Sequence, residues 1–303
     1  MAKKYPLGEI PIDKEGMTDT YLIQRLEDKR GYFHWSFSNR YMNWKIRRSI
    51  TKSLKEKLRE NKRKNLLAKI LEVGCFEGDL IFKLKSLLDE EYNLDFIGID
   101  LSPQAIDFAN KRKGFLKAKN CQFKVMDANE MQFEDSQFDI VICSEVIEHI
   151  EHPMKALREI YRVLKKEGLA IITTPNKGGG VIAKLGRLAN FISFNAIRIK
   201  REREIEKCIK GKELSDTMVV GKRAEGEGFG HISVKDHLEW SRIIRQIGFK
   251  IQRKMGTGGM LFGDVFLDEH RILFGLLVIM DTVLEPFPQS YLWSEILLLE
   301  LRR

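Results

Sequence analysis

Short apolar runs alternate with amphipathic segments through the middle of this chain. The runs near residues 69–74, 95–100, 122–127, 138–144 and 169–174 predict buried strands, and the segments near 78–89, 103–113 and 153–166 predict helices. Strands that alternate with helices pair in parallel through right-handed crossovers, with helices on both faces of the sheet. The pattern therefore predicts an α/β fold built on one mostly parallel sheet.

The pattern also divides the chain into four segments. Residues 1–67 combine an arm without periodicity and a helical stretch from Phe37, and residues 68–176 hold the alternating core. Residues 177–229 form a basic, amphipathic insertion with glycines at both ends, which predicts a hinged lid or a membrane contact. Residues 230–303 complete the core, with a helix at 234–246, a strand at 249–255, an apolar helix at about 268–284 and a strand at 294–301.

A glycine-bearing turn follows the first core strand, and an acid ends the second. Glu72, Gly74 and Gly78 lie in the run Glu-Val-Gly-Cys-Phe-Glu-Gly. Glycine there lets the backbone turn tightly and lets the next helix begin close to a ligand. Asp100 lies about twenty residues beyond the loop, where a carboxylate can accept hydrogen bonds from both ribose hydroxyls. This spacing predicts a nucleoside site.

Two details of the turn argue against a dinucleotide such as NAD. Phe76 stands where the dinucleotide fingerprint has a glycine that lets the pyrophosphate touch the backbone. Glu72 adds a negative charge near the place of the pyrophosphate. A nucleoside that lacks phosphate and carries positive charge tolerates both features, and S-adenosylmethionine is such a ligand. An NAD-dependent enzyme stays the less favoured alternative.

Five motifs, in order, resemble those of class I S-adenosylmethionine-dependent methyltransferases. They are Glu72–Gly78, Asp100, Met126–Ala128, Phe138–His149 and the stretch 157–176. The likeness runs from about residue 68 to 176, resumes near 230, and departs from the family at Phe76, where most members carry glycine. The resemblance implies a Rossmann-like, seven-stranded sheet that is mostly parallel with an antiparallel final strand, and S-adenosylmethionine as cofactor.

The resemblance also implies which residues bind the cofactor. Glu72 and Gly74 would face its methionine part, Asp100 its ribose and Asp127 its adenine. Arg40 is similar to an N-terminal arginine that clamps the cofactor carboxylate in some relatives. The full predicted set is Arg40, Glu72, Gly74, Gly78, Asp100, Leu101, Asp127, Ala128 and Ser144.

Glu145, Glu148 and His149 follow the fourth core strand at positions i, i+3 and i+4. If this segment is helical, all three share one face at the mouth of the cofactor cleft, and His231 could join them. The pattern resembles ubiquinone-pathway O-methyltransferases and the enzymes that methylate the 2′-hydroxyl at small-RNA ends. Two carboxylates and two imidazoles suit a divalent cation, Mg²⁺ or Zn²⁺.

Three roles stay open for this cluster. A metal could hold two vicinal oxygens and lower the pKa of an acceptor hydroxyl. Without a metal, His149 could act as general base with Glu145 as the second catalytic residue. The third role is plain packing beside the cleft, because Glu-His after the fourth strand also occurs in metal-free relatives.

Charge and cysteine content bear on partners and location. The net charge of +9 is concentrated in Lys45–Lys64 and Lys177–Lys200, which predicts attraction to anionic lipid or nucleic acid unless these are solvated helix faces. The four cysteines lack disulfide or metal spacing, and the N-terminus lacks the apolar region of a secretory signal. We expect a cytoplasmic protein, with peripheral contact at the inner face of the membrane.

These observations together predict a methyltransferase that methylates an oxygen of a small or lipid-like acceptor. One alternative is a metal-dependent RNA 2′-O-methyltransferase, although the chain has no recognisable RNA-binding module. The other alternative is an inactive nucleoside-binding scaffold, which the unusual Phe76 would favour.

Overall fold

The computed structural model describes residues 12–13, 16–17, 37–63, 66–177, 232–257, 275–276, 278–279, 283 and 296–303. The strands are β1 (Ile12–Asp13), β2 (Gly16–Met17), β3 (Ala68–Val73), β4 (Leu94–Asp100), β5 (Cys121–Val125), β6 (Phe138–Ser144), β7 (Leu164–Pro175), β8 (Lys250–Thr257) and β9 (Ile296–Arg302). The helices are α1 (Phe37–Arg63), α2 (Asp79–Leu88), α3 (Pro103–Phe115), α4 (Pro153–Val163) and α5 (His237–Ile247), with a 3₁₀ turn at Ile147–His149.

Seven strands form one sheet in the order β5-β4-β3-β6-β7-β9-β8. Neighbours from β5 to β7 pair in parallel, whereas β9 lies antiparallel between β7 and β8. The order reverses at β3, so the carboxyl ends of β3, β4 and β6 meet around a crevice of the kind that binds ligands in open α/β sheets. The predicted mostly parallel, seven-stranded sheet with an antiparallel final strand is confirmed.

Helices cover both faces of this sheet, as the alternation predicts. Successive strand residues point to opposite faces, so Ile70 packs with α1, α2 and α3 while Leu71 packs with α4 and α5. Each face has its own apolar core. Polar groups can therefore collect at the carboxyl ends of the parallel strands.

Local sequence signals set the helix boundaries. The Ser102 side chain accepts a hydrogen bond from the Ala105 N–H at the start of α3. Asp236 and Glu239 form a capping box at the start of α5, so this helix begins at His237 rather than at 234. Gly248, with φ of 115°, ends α5 in the left-handed conformation that glycine adopts readily.

The boundary between α4 and β7 differs from the prediction. The helix ends at Val163 rather than 166, and β7 begins at once with Leu164. Glu167 has φ of 63°, and its carbonyl oxygen accepts hydrogen bonds from Lys57 and Arg302. These contacts come from α1 and β9, so they could not be derived from the local sequence.

Helix α1 packs on one face of the sheet through an apolar stripe. A buried polar network also attaches it to the last two strands of the chain, β8 and β9. Ser53 donates a hydrogen bond of 2.6 Å to the Glu300 carboxylate, which is 3% exposed. Arg253 bridges Glu300 at 3.4 Å and Glu56 at 2.9 Å. This network joins α1 to β8 and β9, which follow it by about two hundred residues.

Several predictions lie outside the described residues. They include nearly all of the insertion 177–229, His231, most of the arm before Phe37 and most of the apolar helix at 268–284, of which residues 275–276, 278–279 and 283 are helical. Within the part of the chain that the structure describes, no helix combines the length and apolar character needed to cross a bilayer. Cys75, Cys121 and Cys143 are buried free thiols.

Candidate functional site

The first loop of the crevice is bound directly to the end of β4. The Phe76 N–H donates a hydrogen bond of 2.8 Å to Asp100 Oδ2, and the Ser102 N–H donates one of 2.9 Å to Oδ1. Each carboxylate oxygen therefore keeps one further lone pair for a ligand. Asp100 lies at the carboxyl end of β4, where the sequence places the ribose acid.

Two glycines let this loop pass close to neighbouring side chains. A Cβ on Gly74 would lie 2.3 Å from Val146 Cγ2, and one on Gly78 would lie 2.7 Å from the Phe123 ring. Both glycines have φ above 70°, a conformation that strains other residues. Phe76 lies between them with φ of 47°, so the residue that replaces the family glycine keeps the backbone conformation of a glycine.

Glu72 is a buried acid beneath this loop. It is 5% exposed, and its Oε2 has no hydrogen-bond partner among the described residues. Burial raises the pKa of Glu72 well above its usual value, and the positive charge of Arg47 on α1 opposes that rise. A buried carboxylate with an unpaired oxygen suits a cationic ligand group.

Arg47 is a residue that the sequence reasoning missed. It lies seven positions after the predicted clamp Arg40, so both residues are on the same face of α1. The Arg40 side chain is outside the described residues. The helical repeat from Arg40 was the signal that could have identified Arg47.

The opposite end of the crevice is formed after β4 and β5. Asp127 Oδ1 accepts hydrogen bonds from the backbone and the side chain of Asn129, at 2.8 and 3.0 Å, which shape a tight turn. Ala128 packs against the apolar core, and Leu101 is 60% exposed beside Asp100. An acid, a small residue and an exposed aliphatic side chain form a surface that suits a purine ring.

One threonine of β7 organises the segment after β6. Ser144 Oγ and Thr173 Oγ1 are hydrogen-bonded at 2.9 Å. The Glu145 N–H donates to the Thr173 carbonyl oxygen at 3.0 Å and lies 3.2 Å from Thr173 Oγ1. Thr173 is not among the site residues predicted from the sequence, although Thr173 belongs to the Ile-Ile-Thr-Thr motif of the fifth core strand.

The predicted helical face of Glu145, Glu148 and His149 is wrong in its geometry. Glu145 has φ of 55°, and only Ile147–His149 form a 3₁₀ turn, so the three residues do not follow one α-helical register. Glu145, which is half-buried, and the fully buried Glu148 nevertheless interact through their charges and are defined here as the carboxylate pair. His149 Nε2 lies 3.8 Å from Glu148 Oε1, and the His149 side chain is 42% exposed.

The carboxylate pair is strongly affected by burial. Each residue has one oxygen, Oε1, that is buried without a hydrogen-bond partner among the described residues. Burial raises the pKa of Glu145 to about 7, although a hydrogen bond from Thr173 lowers it in part. Burial and then the negative charge of Glu145 raise the pKa of Glu148 well above its usual value.

The end of the insertion returns to this pair. The Glu148 carbonyl oxygen accepts hydrogen bonds of 2.9 Å from both the Ile232 N–H and the Ser233 N–H. The Lys177 N–H, at the other end of the insertion, donates to the Lys235 carbonyl oxygen at 3.1 Å. Lys177 and the segment that begins at Ile232, which flank the insertion, are therefore bound to each other, and the second of them is bound to Glu148.

The metal prediction has no support from the described residues. Among them, no group of three or more His, Cys, Asp or Glu side chains is arranged to hold a metal ion. His231, the fourth predicted ligand, lies outside the described residues.

Comparison with known proteins agrees with this geometry. Residues 64–239, more than half of the chain, match the family model described as a methyltransferase domain. The chain belongs to this family, and it is a class I S-adenosylmethionine-dependent methyltransferase. The acid at the end of β4, the glycine loop and the buried Glu72 fit S-adenosylmethionine, because they offer ribose acceptors, close backbone approach and a partner for positive charge.

Several curated relatives share the matched region. The chain is 31% identical over 201 residues to the ubiquinone/menaquinone biosynthesis C-methyltransferase UbiE of Rickettsia bellii, covering 65% of this chain and 75% of the relative. It is 33% identical over 171 residues to phosphoethanolamine N-methyltransferase 3 of Arabidopsis thaliana, covering 56% and 30%. It is 38% identical over 112 residues to the mitochondrial ubiquinone biosynthesis O-methyltransferase of Mus musculus, covering 36% and 29%. The chain thus spans less than a third of the last two relatives.

Proposed function

We propose that this methyltransferase methylates a hydroxyl oxygen of a small or lipid-like acceptor beside the carboxylate pair. The observation that carries the proposal is the buried Oε1 of Glu145, which has no hydrogen-bond partner in the described part of the chain and lies at the carboxyl end of β6 next to the glycine loop. A hydroxyl acceptor must lose a proton, and a carboxylate with a pKa near neutrality is a suitable base at physiological pH.

The chain's own residues would position the reactants. S-adenosylmethionine supplies an electrophilic methyl group that is transferred by in-line displacement. Glu72 would face the positive charge of the cofactor, Arg47 its carboxylate and Asp100 its ribose hydroxyls. Glu145 would take the acceptor proton as the oxygen–carbon bond forms. Alignment of reacting groups can itself contribute roughly 7–11 kcal/mol to lowering the barrier.

An amine acceptor is the second candidate. Glu148 Oε1 is buried without a hydrogen-bond partner among the described residues, like Glu145 Oε1, and two adjacent acids suit an ammonium group. The relative from Arabidopsis thaliana is named a phosphoethanolamine N-methyltransferase. An acceptor that arrives as an ammonium ion would pass its proton to the same pair before nitrogen attacks.

The test is transfer of a labelled methyl group from S-adenosylmethionine to a panel of acceptors. The panel contains prenylated phenols, phosphoethanolamine and short RNA oligonucleotides, which separate the oxygen, amine and RNA activities. Product from the phenols supports the proposal, whereas product from phosphoethanolamine alone favours the amine candidate. Binding of S-adenosylhomocysteine by calorimetry without turnover on any acceptor would favour the scaffold alternative.

Variants of the acid pair test the role of the base. Glu145→Gln should lower turnover at least a hundredfold while changing the affinity for S-adenosylhomocysteine less than threefold. Glu90→Gln is the matched control, because Glu90 lies just before β4, at the amino ends of the parallel strands. This variant should leave turnover unchanged. Equal turnover of Glu145→Gln and the control would exclude Glu145 as the base.

A further inference from the structure

We propose that the outward face of α1 is a docking surface for an anionic phospholipid bilayer. The proposal concerns the surface to which the enzyme binds, and it does not depend on whether the acceptor is a hydroxyl or an amine. It follows from the position of aromatic and cationic side chains on α1, from their exposure and from a second exposed apolar face in the C-terminal region.

Helix α1 has two opposite faces. One face is the buried stripe Ile46, Ile50, Leu54 and Leu58, in which every residue is at most 3% exposed. At 3.6 residues per turn, six residues between Tyr41 and Arg59 lie within an arc of about 80° on the side away from this stripe. This α1 outer stripe consists of Tyr41, Trp44, Arg48, Lys52, Lys55 and Arg59.

An exposed tryptophan lies near the N-terminal end of the α1 outer stripe. Trp44 is 51% exposed, although a large aromatic ring is ordinarily much more buried. Its ring stacks on Tyr41 with centroids 5.8 Å apart, and the Arg48 guanidinium lies 5.3 Å from its centre. An aromatic ring held beside a guanidinium suits the interface between lipid headgroups and acyl chains.

The charges of α1 are also sorted between its faces. The α1 outer stripe holds four cationic side chains and no acid. Glu56, on the same helix, is instead paired with Arg253 of β8 at 2.9 Å. Lys55 lies 4.0 Å from Glu91, which partly neutralises the C-terminal end of the stripe. Glu91 thus acts at the C-terminal end of the stripe, whereas Trp44, Arg48 and Lys52 lie toward its N-terminal end.

A second apolar face is exposed in the C-terminal region. Leu276, Ile279 and Val283 follow one another at spacings of three and four residues and are 60%, 63% and 63% exposed. Residues at this spacing share one side of a helix, and the sequence from 272 to 280 contains no charged residue. Aliphatic side chains in water favour contact with an apolar phase, and their burial stabilises such a contact.

A bilayer with anionic headgroups suits the chemistry of both features. Cations bind the headgroups, while tryptophan and aliphatic side chains enter the boundary with the acyl chains. Nucleic acid would use the cations but not the aliphatic face. A second copy of the chain would use the aliphatic face, but the formal net charge of +9 on each copy opposes self-association.

The first test is flotation of the full chain with vesicles of phosphatidylcholine alone or with one quarter phosphatidylglycerol. We expect binding to the anionic vesicles only, weakened by added salt. Arg48→Glu with Lys52→Glu should weaken binding at least thirtyfold, since each cation near an anionic surface contributes about fivefold. Lys111→Glu with Lys119→Glu, an equal change of charge at and after α3, is the matched control and should have little effect.

The second test follows Trp44 itself. Its fluorescence should shift to shorter wavelength when anionic vesicles are added, and the shift should disappear in Trp44→Phe. Equal binding to both vesicle types, equal loss in the two charge-reversal pairs, or preferential binding of RNA would overturn the proposal. Methyl transfer to a water-soluble acceptor should stay unchanged in Arg48→Glu with Lys52→Glu, so failure here leaves the proposed function intact.

Discussion

The Phe76 N–H donates a hydrogen bond of 2.8 Å to Asp100 Oδ2, which joins the glycine loop to the end of β4. Phe76 makes this bond in the left-handed conformation, with φ of 47°. The departure from the family motif therefore changes the side chain but keeps the path of the backbone, and Asp100 stays positioned for a ribose.

Phe76→Gly and Phe76→Ala should differ in stability. The left-handed conformation costs a residue with a Cβ about 1–2 kcal/mol, and glycine is free of this cost. Both variants lose the phenyl ring, but only alanine keeps the strain. Glycine also loses about 0.5–1 kcal/mol through the greater entropy of its unfolded chain. We expect the free energy of unfolding of Phe76→Gly, measured in urea, to equal or exceed that of Phe76→Ala by up to 1 kcal/mol. A clearly less stable glycine variant would contradict the assigned conformation.

Asp100→Asn should weaken the cofactor site. The asparagine amide has one oxygen, so it cannot accept from both the Phe76 and Ser102 N–H groups, and its NH₂ would face a donor. We expect affinity for S-adenosylhomocysteine to fall at least tenfold in calorimetry, with a loss of about 1–3 kcal/mol in stability. Asp95→Asn, at the other end of β4, is the control. Equal affinities of the two variants would remove Asp100 from the site.

Glu145→Gln should stabilise the ligand-free protein at alkaline pH. The folded-state pKa of Glu145 is raised to about 7, so ionisation of this buried acid opposes folding. That opposition is absent below the unfolded pKa near 4.5, grows as pH rises, and is complete above about pH 7. We expect the variant to gain about 1 kcal/mol or more over wild type at pH 8.5 and close to nothing at pH 4.5. Equal gains at both pH values would contradict the raised pKa.

Gly74→Ala and Gly114→Ala should have opposite effects. The added methyl at Gly74 would collide with Val146 in a left-handed backbone, whereas nothing lies within 4 Å of the same atom at Gly114 in α3. We expect Gly74→Ala to lower the free energy of unfolding by about 2 kcal/mol or more. Gly114→Ala should raise it by about 0.5–1 kcal/mol. Thermal unfolding of both variants checks the pair, and Gly74→Ala with Val146→Ala should recover part of the loss.

Removal of Arg253 should destabilise the attachment of α1. Arg253→Met leaves the buried Glu300 carboxylate with Ser53 but without its cationic partner. Because Arg253 is partly exposed, we expect a loss of about 2 kcal/mol rather than the larger values of fully buried pairs. Arg253→Met with Glu300→Met should recover most of this loss in urea unfolding. A double variant less stable than the single one would show that the pair does not act through charge.

The sequence by itself determined the class of fold and the edge of the sheet at which the predicted cofactor-binding residues lie. Alternating apolar runs identify the five parallel core strands, because the side-chain periods of strands and helices are local properties. Glu72, Gly74, Gly78 and Asp100 occur within or beside these strands. Their meeting at one edge follows from parallel pairing alone.

The tertiary structure decided the backbone conformations and the long-range contacts of the site, which the periodicity of the sequence does not contain. The left-handed Glu145 breaks the expected helical register of the carboxylate pair, and the strand contacts with Thr173 that hold it come from β7. The charge of Arg47 acts on Glu72 because α1 packs against the sheet, where Ser53 also donates to Glu300 near the end of the chain. Such contacts between distant segments set the burial of each acid, and burial sets the pKa values on which the proposed chemistry depends.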